Sequence, residues 1–415
     1  MRGESDEKLL EVDALGNEVR VLKETEGEKG KDLVVSVRSD WQREVHHFLQ
    51  EGIKQYSATG GVVILQEVQT GRILSIVSLP SYDNQLFAGG ISERDFQALL
   101  GSTEQPLFNR SIAGVYPPGS VVKPAVAAAA LKEGIINETT KLSDFPQIIK
   151  IGVWEFPDWT IAWNRGAHGI IDVKEALAYS CDTFFYKIGG GFDGSCDGFA
   201  NGCYSRGLGV EKIASVFRLV GFGQATGIDL PGEGEGLVPD QEWKMRVRGE
   251  PWFLGNTYHL SIGQGDLLTT PVQIVNYVSA IANGGRLMRP VLGLQIKGAR
   301  GEVQSLISPE VIKEAIIQPD ILSTLGEGMR LAVSHGIISP LREAGVEVAA
   351  KTGTAEFGTK NANGEYETHA WVTGFFPFDD PKISFVVLLE SGGKSNNAAQ
   401  VARDLIDWIV GRGQI

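Results

Sequence analysis

Ser120 and Lys123 stand three positions apart in "YPPGSVVKP", residues 116 to 124, behind a Pro-Pro-Gly turn and ahead of the apolar run "AVAAAALKEG". That run reads as a helix, and the i, i+3 spacing puts both side chains on one face. A hydroxyl in the first helical turn meets unsatisfied backbone N–H groups and positive dipole potential. Both would stabilise the oxyanion formed when the hydroxyl attacks a carbonyl. A lysine beside it, desolvated by Ala and Val, loses proton affinity and can serve as the base that activates the hydroxyl. Pro124 falls in the first turn, where a missing N–H costs little.

Two further stretches could complete such a site. In "EALAYSCDTFFY", Ser180 and Asp182 follow a helical segment and precede an aromatic run, as in a loop pinned between two packed helices. In "VEVAAKTGTAEF", Lys351-Thr352-Gly353 interrupts a strand pattern with a glycine, which weakens a strand unless something must approach its backbone closely. A substrate strand needs that approach. Each pattern alone is weak. S-x-x-K recurs as Ser5 to Lys8 and Ser391 to Lys394, and S-x-[DN] recurs at Ser81, Ser195 and Ser395, where a helix cap explains most matches. Only Ser120 and Lys123 are framed by a turn and an apolar helix.

The elements that must position these residues are β-rich at both ends of the chain. "GGVVILQEV" and "RILSIVSLP", joined through "QTGR", form a hairpin pattern. Near the C-terminus "VEVAAKTGTAEF", "HAWVTGFFPF" and "KISFVVLLES" are three successive strands, and "NNAAQVARDLIDWIVGRG" closes the chain as an amphipathic helix. "DWQREVHHFLQEGIKQY" reads as a helix with Asp40 at its N-cap. Between the ends, "VKPAVAAAALKEG", "VKEALAYS", "VEKIASVFRLVGF", "TPVQIVNYVSAIANGG" and "SPEVIKEAI" have helical periodicity. The pattern predicts an α+β fold: an antiparallel sheet built from both chain ends, flanked by helices, with a helix-rich middle. Residues 1–38 are polar with short β-like pieces and read as a linker or a remnant of an upstream domain. Residues 39–415 form the main domain.

Composition narrows the function. The 415 residues are 42% hydrophobic and 21% charged, as in an ordinary globular protein. A net charge of −13 with no dense Lys/Arg stripe argues against nucleic acid as a partner. No apolar run reaches the ~20 residues that a membrane helix needs. Three cysteines are too few for a disulfide scaffold. Cys196 and Cys203 share a Gly-rich loop in which a local bridge is one reading and free thiols the other. The D-G-S-C-D-G in that loop is half a calcium-loop pattern, with Tyr204 where the bidentate Glu belongs, and reads as a plain surface loop.

In this order, S-x-x-K, S-x-[DN] and K-T-G are the set found in penicillin-binding proteins and serine β-lactamases. From about Val34 onward the chain resembles the transpeptidase domain of class B penicillin-binding proteins of the elongation type. The resemblance rests on "YPPGSVVKP", "SCDTFFYKIG", "GIDLPGE", "LSIGQGDLLTTPVQ" and "AAKTGTAE". It implies the penicillin-binding protein/serine β-lactamase-like fold and a peptidoglycan D,D-transpeptidase that forms a serine acyl-enzyme and is a β-lactam target. By the same resemblance Ser120 is the nucleophile and Lys123 its base. Ser180 and Lys351 relay protons, Asp182 holds their loop, and Thr352, Gly353 and Thr354 bind the donor peptide. The oxyanion hole is implied at the backbone N–H groups of Ser120 and Thr354.

No cofactor is implied for catalysis, but relatives carry a structural zinc, for which the matching residues are Asp144, Asp158, His168 and Cys181. The implied partners are peptidoglycan stem peptides, β-lactams, a polytopic lipid-II glycosyltransferase and a rod-shape complex. The implied location is the extracytoplasmic face of the bacterial cytoplasmic membrane, with membrane contact through a segment absent from this chain, and residues 1–38 would trail a pedestal domain. Two alternatives stay open: a serine β-lactamase or D,D-carboxypeptidase that passes the acyl group to water, and a non-catalytic β-lactam sensor or scaffold.

Overall fold

A computed structural model describes residues 3–192, 206–360, 364 and 366–414 of the chain. The Gly-rich loop with Cys196, Cys203 and the half calcium-loop pattern lies outside the described residues. At the centre is a five-stranded antiparallel sheet in the order Ala349–Phe357, Glu367–Phe376, Ile383–Glu390, Gly60–Glu67, Ile73–Leu79. Both chain ends therefore supply it, as the strand patterns at the two ends predict. Period two sorts its side chains onto two cores. Val62, Ile64, Trp371, Val386 and Leu388 face the helices Lys123–Lys132 and Pro271–Ala282. Val63, Leu65, Val372, Phe385 and Val387 face Ser39–Tyr56 and the closing helix Ser395–Gly411. With helices on both faces, Gly60–Glu67 is buried almost throughout, so it reads as a continuous apolar run rather than an alternating one.

Pro271–Ala282 is the central helix. Thr270 and Gln273 close a capping box at its start, and Pro271 occupies the first turn, where it removes an N–H that has no partner in the helix anyway. Among the described residues no helix is long and apolar enough to cross a membrane.

Three local expectations change. The 39–56 helix is capped by Arg38 without a side-chain bond, and Asp40 sits in its first turn, where its charge still favours the helix dipole. "SPEVIKEAI" is not a helix: Val311–Lys313 is a short strand paired with Leu287–Met288, consistent with its adjacent β-branched residues. A helix that the sequence reading passed over, Pro319–Ser334, lies against the helix Val173–Tyr179 and the strand Ala349–Phe357. Its Gly326 and Gly328 lower intrinsic helicity. A Cβ at Gly328 would lie 2.8 Å from Leu177 Cδ1, so close helix packing requires the glycine.

Ahead of this domain, Glu7–Val12 and Glu18–Thr25 form a largely exposed hairpin, and Asp32–Val35 adds to Gly293–Lys297.

His369, in the strand Glu367–Phe376, stacks on Phe357 with ring centroids 3.8 Å apart, and its Nδ1 accepts from the Ser391 N–H. Burial pushes its imidazole down to about 4. An unfolded histidine protonates near 6.5, so between pH 6.5 and 4 the unfolded chain takes up a proton that the folded one refuses. The contribution is complete above pH 6.5 and lost as pH falls toward 4, by roughly 3 kcal/mol. Urea unfolding at pH 7 and pH 4.5 should show a larger loss for the native chain than for His369→Gln.

Candidate active site

Ser120 lies in a single 3-10 turn, Gly119–Val122, that runs straight into the helix Lys123–Lys132, with Pro124 in that helix's first turn. The sequence alone suggests an α-helix beginning at Ser120; the tighter turn comes first. Gly119 adopts φ +58, and a Cβ there would stand 3.0 Å from Thr354 O. Its N–H donates to Gly263 O at 2.9 Å. From the strand side, a Cβ at Gly353 would sit 2.6 Å from Pro118 O and 3.3 Å from Ser120 N. Turn and strand thus meet backbone to backbone. The interrupting glycine of K-T-G allows that contact.

Lys123 is fully buried. Its Nζ donates to Asp182 Oδ1 at 2.6 Å, to Ser180 O at 2.7 Å and to Ser180 Oγ at 3.2 Å. Phe185 packs against the ammonium at 5.1 Å from the ring centroid. Ser180 ends the helix Val173–Tyr179 in the left-handed region, φ 55, and Cys181 then caps the helix Asp182–Gly190. A non-glycine residue held at positive φ is uncommon, and here it presents the hydroxyl between two lysines. Lys351 Nζ, also fully buried, is 2.9 Å from the same Ser180 Oγ. Burial holds Lys351 well below the ordinary lysine range, and the Lys123 charge lowers it further, with Asp182 opposing. Burial raises Asp182, against the pull of Lys123. Two amines joined through one hydroxyl, with Lys351 kept weakly basic by burial, make a proton path.

Asp158, fully buried, holds the turn from behind. Its Oδ2 accepts from the Asp182 N–H at 2.7 Å and the Thr183 N–H at 3.3 Å, and its Oδ1 accepts from Thr160. Trp159 N donates to Asp182 Oδ2, and its indole N–H reaches Tyr179 O. The ligand atoms of Asp144, His168 and Cys181 lie within 4.8 Å of one another just behind Ser180. Asp158 Oδ1 stands 3.4 Å from His168 Nε2.

The family described as the penicillin binding protein transpeptidase domain matches residues 61–407. The chain belongs to that family. A curated relative, the peptidoglycan D,D-transpeptidase MrdA of Haemophilus influenzae, is 30% identical over 432 residues, covering 98% of this chain and 60% of the relative. This chain therefore spans about three fifths of that relative's length. The penicillin-binding protein PBP2 of Helicobacter pylori, solved in a complex with MreC, superposes with a TM-score of 0.80 at 28% identity, covering all of this chain and 70% of that one. Pseudomonas aeruginosa PBP2, solved in complex with WCK 5153, gives 0.75 at 31% identity, covering 92% and 79%.

Within this penicillin-binding fold, hydrogen bonds join Lys123, Ser180, Asp182 and Lys351 from three remote segments, and the turn that carries Ser120 lies against the strand at Gly353. Thr352 is buried beside Lys351, whereas Thr354 is exposed on the open edge of the sheet. Sequence reasoning assigned no role to Gly263 and Gln264, although both touch the site. Gly263 packs on Gly119, and Gln264 Nε2 approaches Thr354 O at 3.4 Å. The signal was the "GQG" of residues 263–265, a second place where backbone must approach backbone.

Proposed function

We propose that this chain is the acyl-transfer unit of an elongation-type peptidoglycan D,D-transpeptidase, with residues 39–415 as the catalytic domain and 1–38 as the end of an upstream pedestal. The observation that carries the reading is Ser180 Oγ between Lys123 and Lys351, beside the turn that holds Ser120. The donor stem peptide lies along the open edge of the strand Ala349–Phe357, with its terminal carboxylate near Thr352 and Thr354. Ser120 Oγ attacks the D-Ala-D-Ala carbonyl and its proton passes to Lys123, which must be neutral at that moment. Backbone N–H groups of Ser120 and Thr354 receive the oxyanion, and a donor of that kind is worth roughly 3 kcal/mol. When the C–N bond breaks, the proton travels through Ser180 to the departing D-alanine amine, and an acceptor amine on a neighbouring stem then takes the acyl group. Lys351, depressed by burial, tunes that relay. β-Lactams enter as donor mimics.

By family resemblance the site of action is the outer face of the cytoplasmic membrane, beside a rod-shape complex and a polytopic lipid-II glycosyltransferase. A stem pentapeptide ending in D-Ala-D-Ala, supplied with an amine acceptor, should yield D-alanine and the cross-linked amide. D-alanine with only the hydrolysed tetrapeptide would favour a carboxypeptidase instead.

A zinc ion suits the donor set of Asp144, His168 and Cys181: carboxylate, imidazole and thiolate match tetrahedral zinc. His168 Nε2 is buried, and its 3.4 Å approach to Asp158 Oδ1 lacks hydrogen-bond geometry, so a ligand there would satisfy it. Asp158 is the fourth residue of the set that the resemblance implies, though its oxygens already serve Thr160, Asp182 and Thr183. Zinc would supply positive charge and cross-link the Ser180 turn to the segment 144–168. Lys187 Nζ, bonded to Ser143 O and Phe145 O, holds the backbone on either side of Asp144. Zinc removal by a chelator should lower Tm by several degrees, as loss of a ligand that binds only the native state does. Cys181→Ser should erase that dependence, and a native protein with no bound zinc would refute the site.

A further inference from the structure

We propose that Glu390 and Tyr116 form a positioning pair that sets the nucleophile turn against the sheet, so that Ser120 is aligned from the far end of the strand Ile383–Glu390. This rests on the reading of Ser120 as the acylated serine and assigns work to Tyr116, which the motif reading left without a role, and to Glu390, which lies outside the motifs that carry the resemblance.

The Tyr116 hydroxyl donates to Glu390 Oε1 at 2.6 Å, and Arg110 Nε donates to Glu390 Oε2 at 2.8 Å. All three side chains are largely buried, Arg110 at 6% exposure and Glu390 at 15%. A glutamate placed this deep needs both partners, and charge-assisted bonds of this length are the strong ones. Arg110 is itself tied down. Its N–H donates to Ser78 Oγ, and its guanidinium reaches Glu104 O and Gln105 O. Gly60 makes room, since a Cβ there would stand 2.3 Å from Glu390 Oε2.

From Tyr116 the chain needs only four more residues to reach Ser120. Tyr116 exchanges backbone bonds with Thr269 in both directions at 2.9 Å. Its ring meets the edges of His369 and Trp371, and the Trp371 indole N–H donates to the next carbonyl, Pro117 O, at 3.2 Å. Trp371 pairs with Gly353, the residue whose missing side chain admits the turn. Position therefore passes from Glu390 through the Tyr116 ring to the Pro117–Gly119 turn, while the strand partner of Gly353 holds the same turn from the other side. The turn has no slack: with backbone atoms in contact at Gly353 and Gly119, a shift at Tyr116 moves Ser120 relative to the oxyanion donors. Displacement of about an ångström typically costs ~100-fold in rate.

The test uses a fluorescent penicillin, with the acylation rate constant at saturation separated from the concentration giving half that rate. Tyr116→Phe keeps the ring and removes one oxygen. It should lower the saturating acylation rate about tenfold or more, with the half-saturating concentration within about twofold, because the donor-binding strand is untouched. Glu390→Gln can turn its amide oxygen to the Arg110 N–H and donate its amide N–H to the Tyr116 oxygen, so it should retain acylation within about threefold, a rescue that mere loss of packing would not show. Tyr116→Phe acylated at the native rate overturns the proposal. So does a Tyr116→Phe defect confined to the half-saturating concentration, or a Glu390→Gln protein slower than Tyr116→Phe. Native protein that forms no adduct at all would instead mean that the underlying reading of Ser120 is wrong.

Discussion

Lys123→Met should cut the rate of acylation by a β-lactam by about 10³-fold, within the 10²–10⁴ range for losing a general base. Methionine fills the volume of the lysine stem, so packing against Phe185 survives and the loss falls on chemistry. Asp182 then has no cation at 2.6 Å while remaining buried. Removing one partner of such a pair costs about 3–5 kcal/mol, because the remaining charge is uncompensated. Burial already favours the protonated Asp182 carboxyl, so the lower end of that range is expected. Lys123→Met with Asp182→Asn should recover most of the stability and none of the acylation. Acylation of Lys123→Met at the native rate would exclude Lys123 as the base.

Gly353→Ala should lower acylation by ~100-fold while leaving the fold intact. Local propensity argues the other way, since alanine in place of an interior glycine is worth roughly 0.5–1 kcal/mol. The steric contact decides: the new methyl would lie 2.6 Å from Pro118 O, which is backbone, and 3.2 Å from Val121 Cγ1. The turn must retreat, taking Ser120 with it. Unaltered stability with reduced acylation is the expected signature, and native acylation would mean that the strand and turn are not in contact.

Much of this was legible in sequence because the residues carry local instructions. "YPPGSVVKP" specifies a turn and then a helix, "AYSCD" the junction of two helices, and K-T-G a strand that something approaches. Strand-like runs at both ends pointed to one sheet supplied by both, but not to the order of its strands. The helix Pro319–Ser334 was not legible, because Gly328 is there for close packing on Leu177 and argues against helix when read alone. Val311–Lys313 failed for the opposite reason: apolar spacing resembled a helix, yet its pairing partner is Leu287–Met288. The Glu390 pair lay beyond reach, since Tyr116 and Glu390 are 274 positions apart and nothing in "YPPGSVVKP" points to a distant carboxylate as the partner of its tyrosine. Lys123 and Asp182, 59 apart, could be joined only through the family resemblance.

Intact-mass measurement after exposure to benzylpenicillin, followed by peptide mapping, tests the arrangement most directly. The expected result is one added penicilloyl group, located on Ser120, with none on Ser120→Ala. An adduct on any other residue, or one that persists in Ser120→Ala, would contradict it.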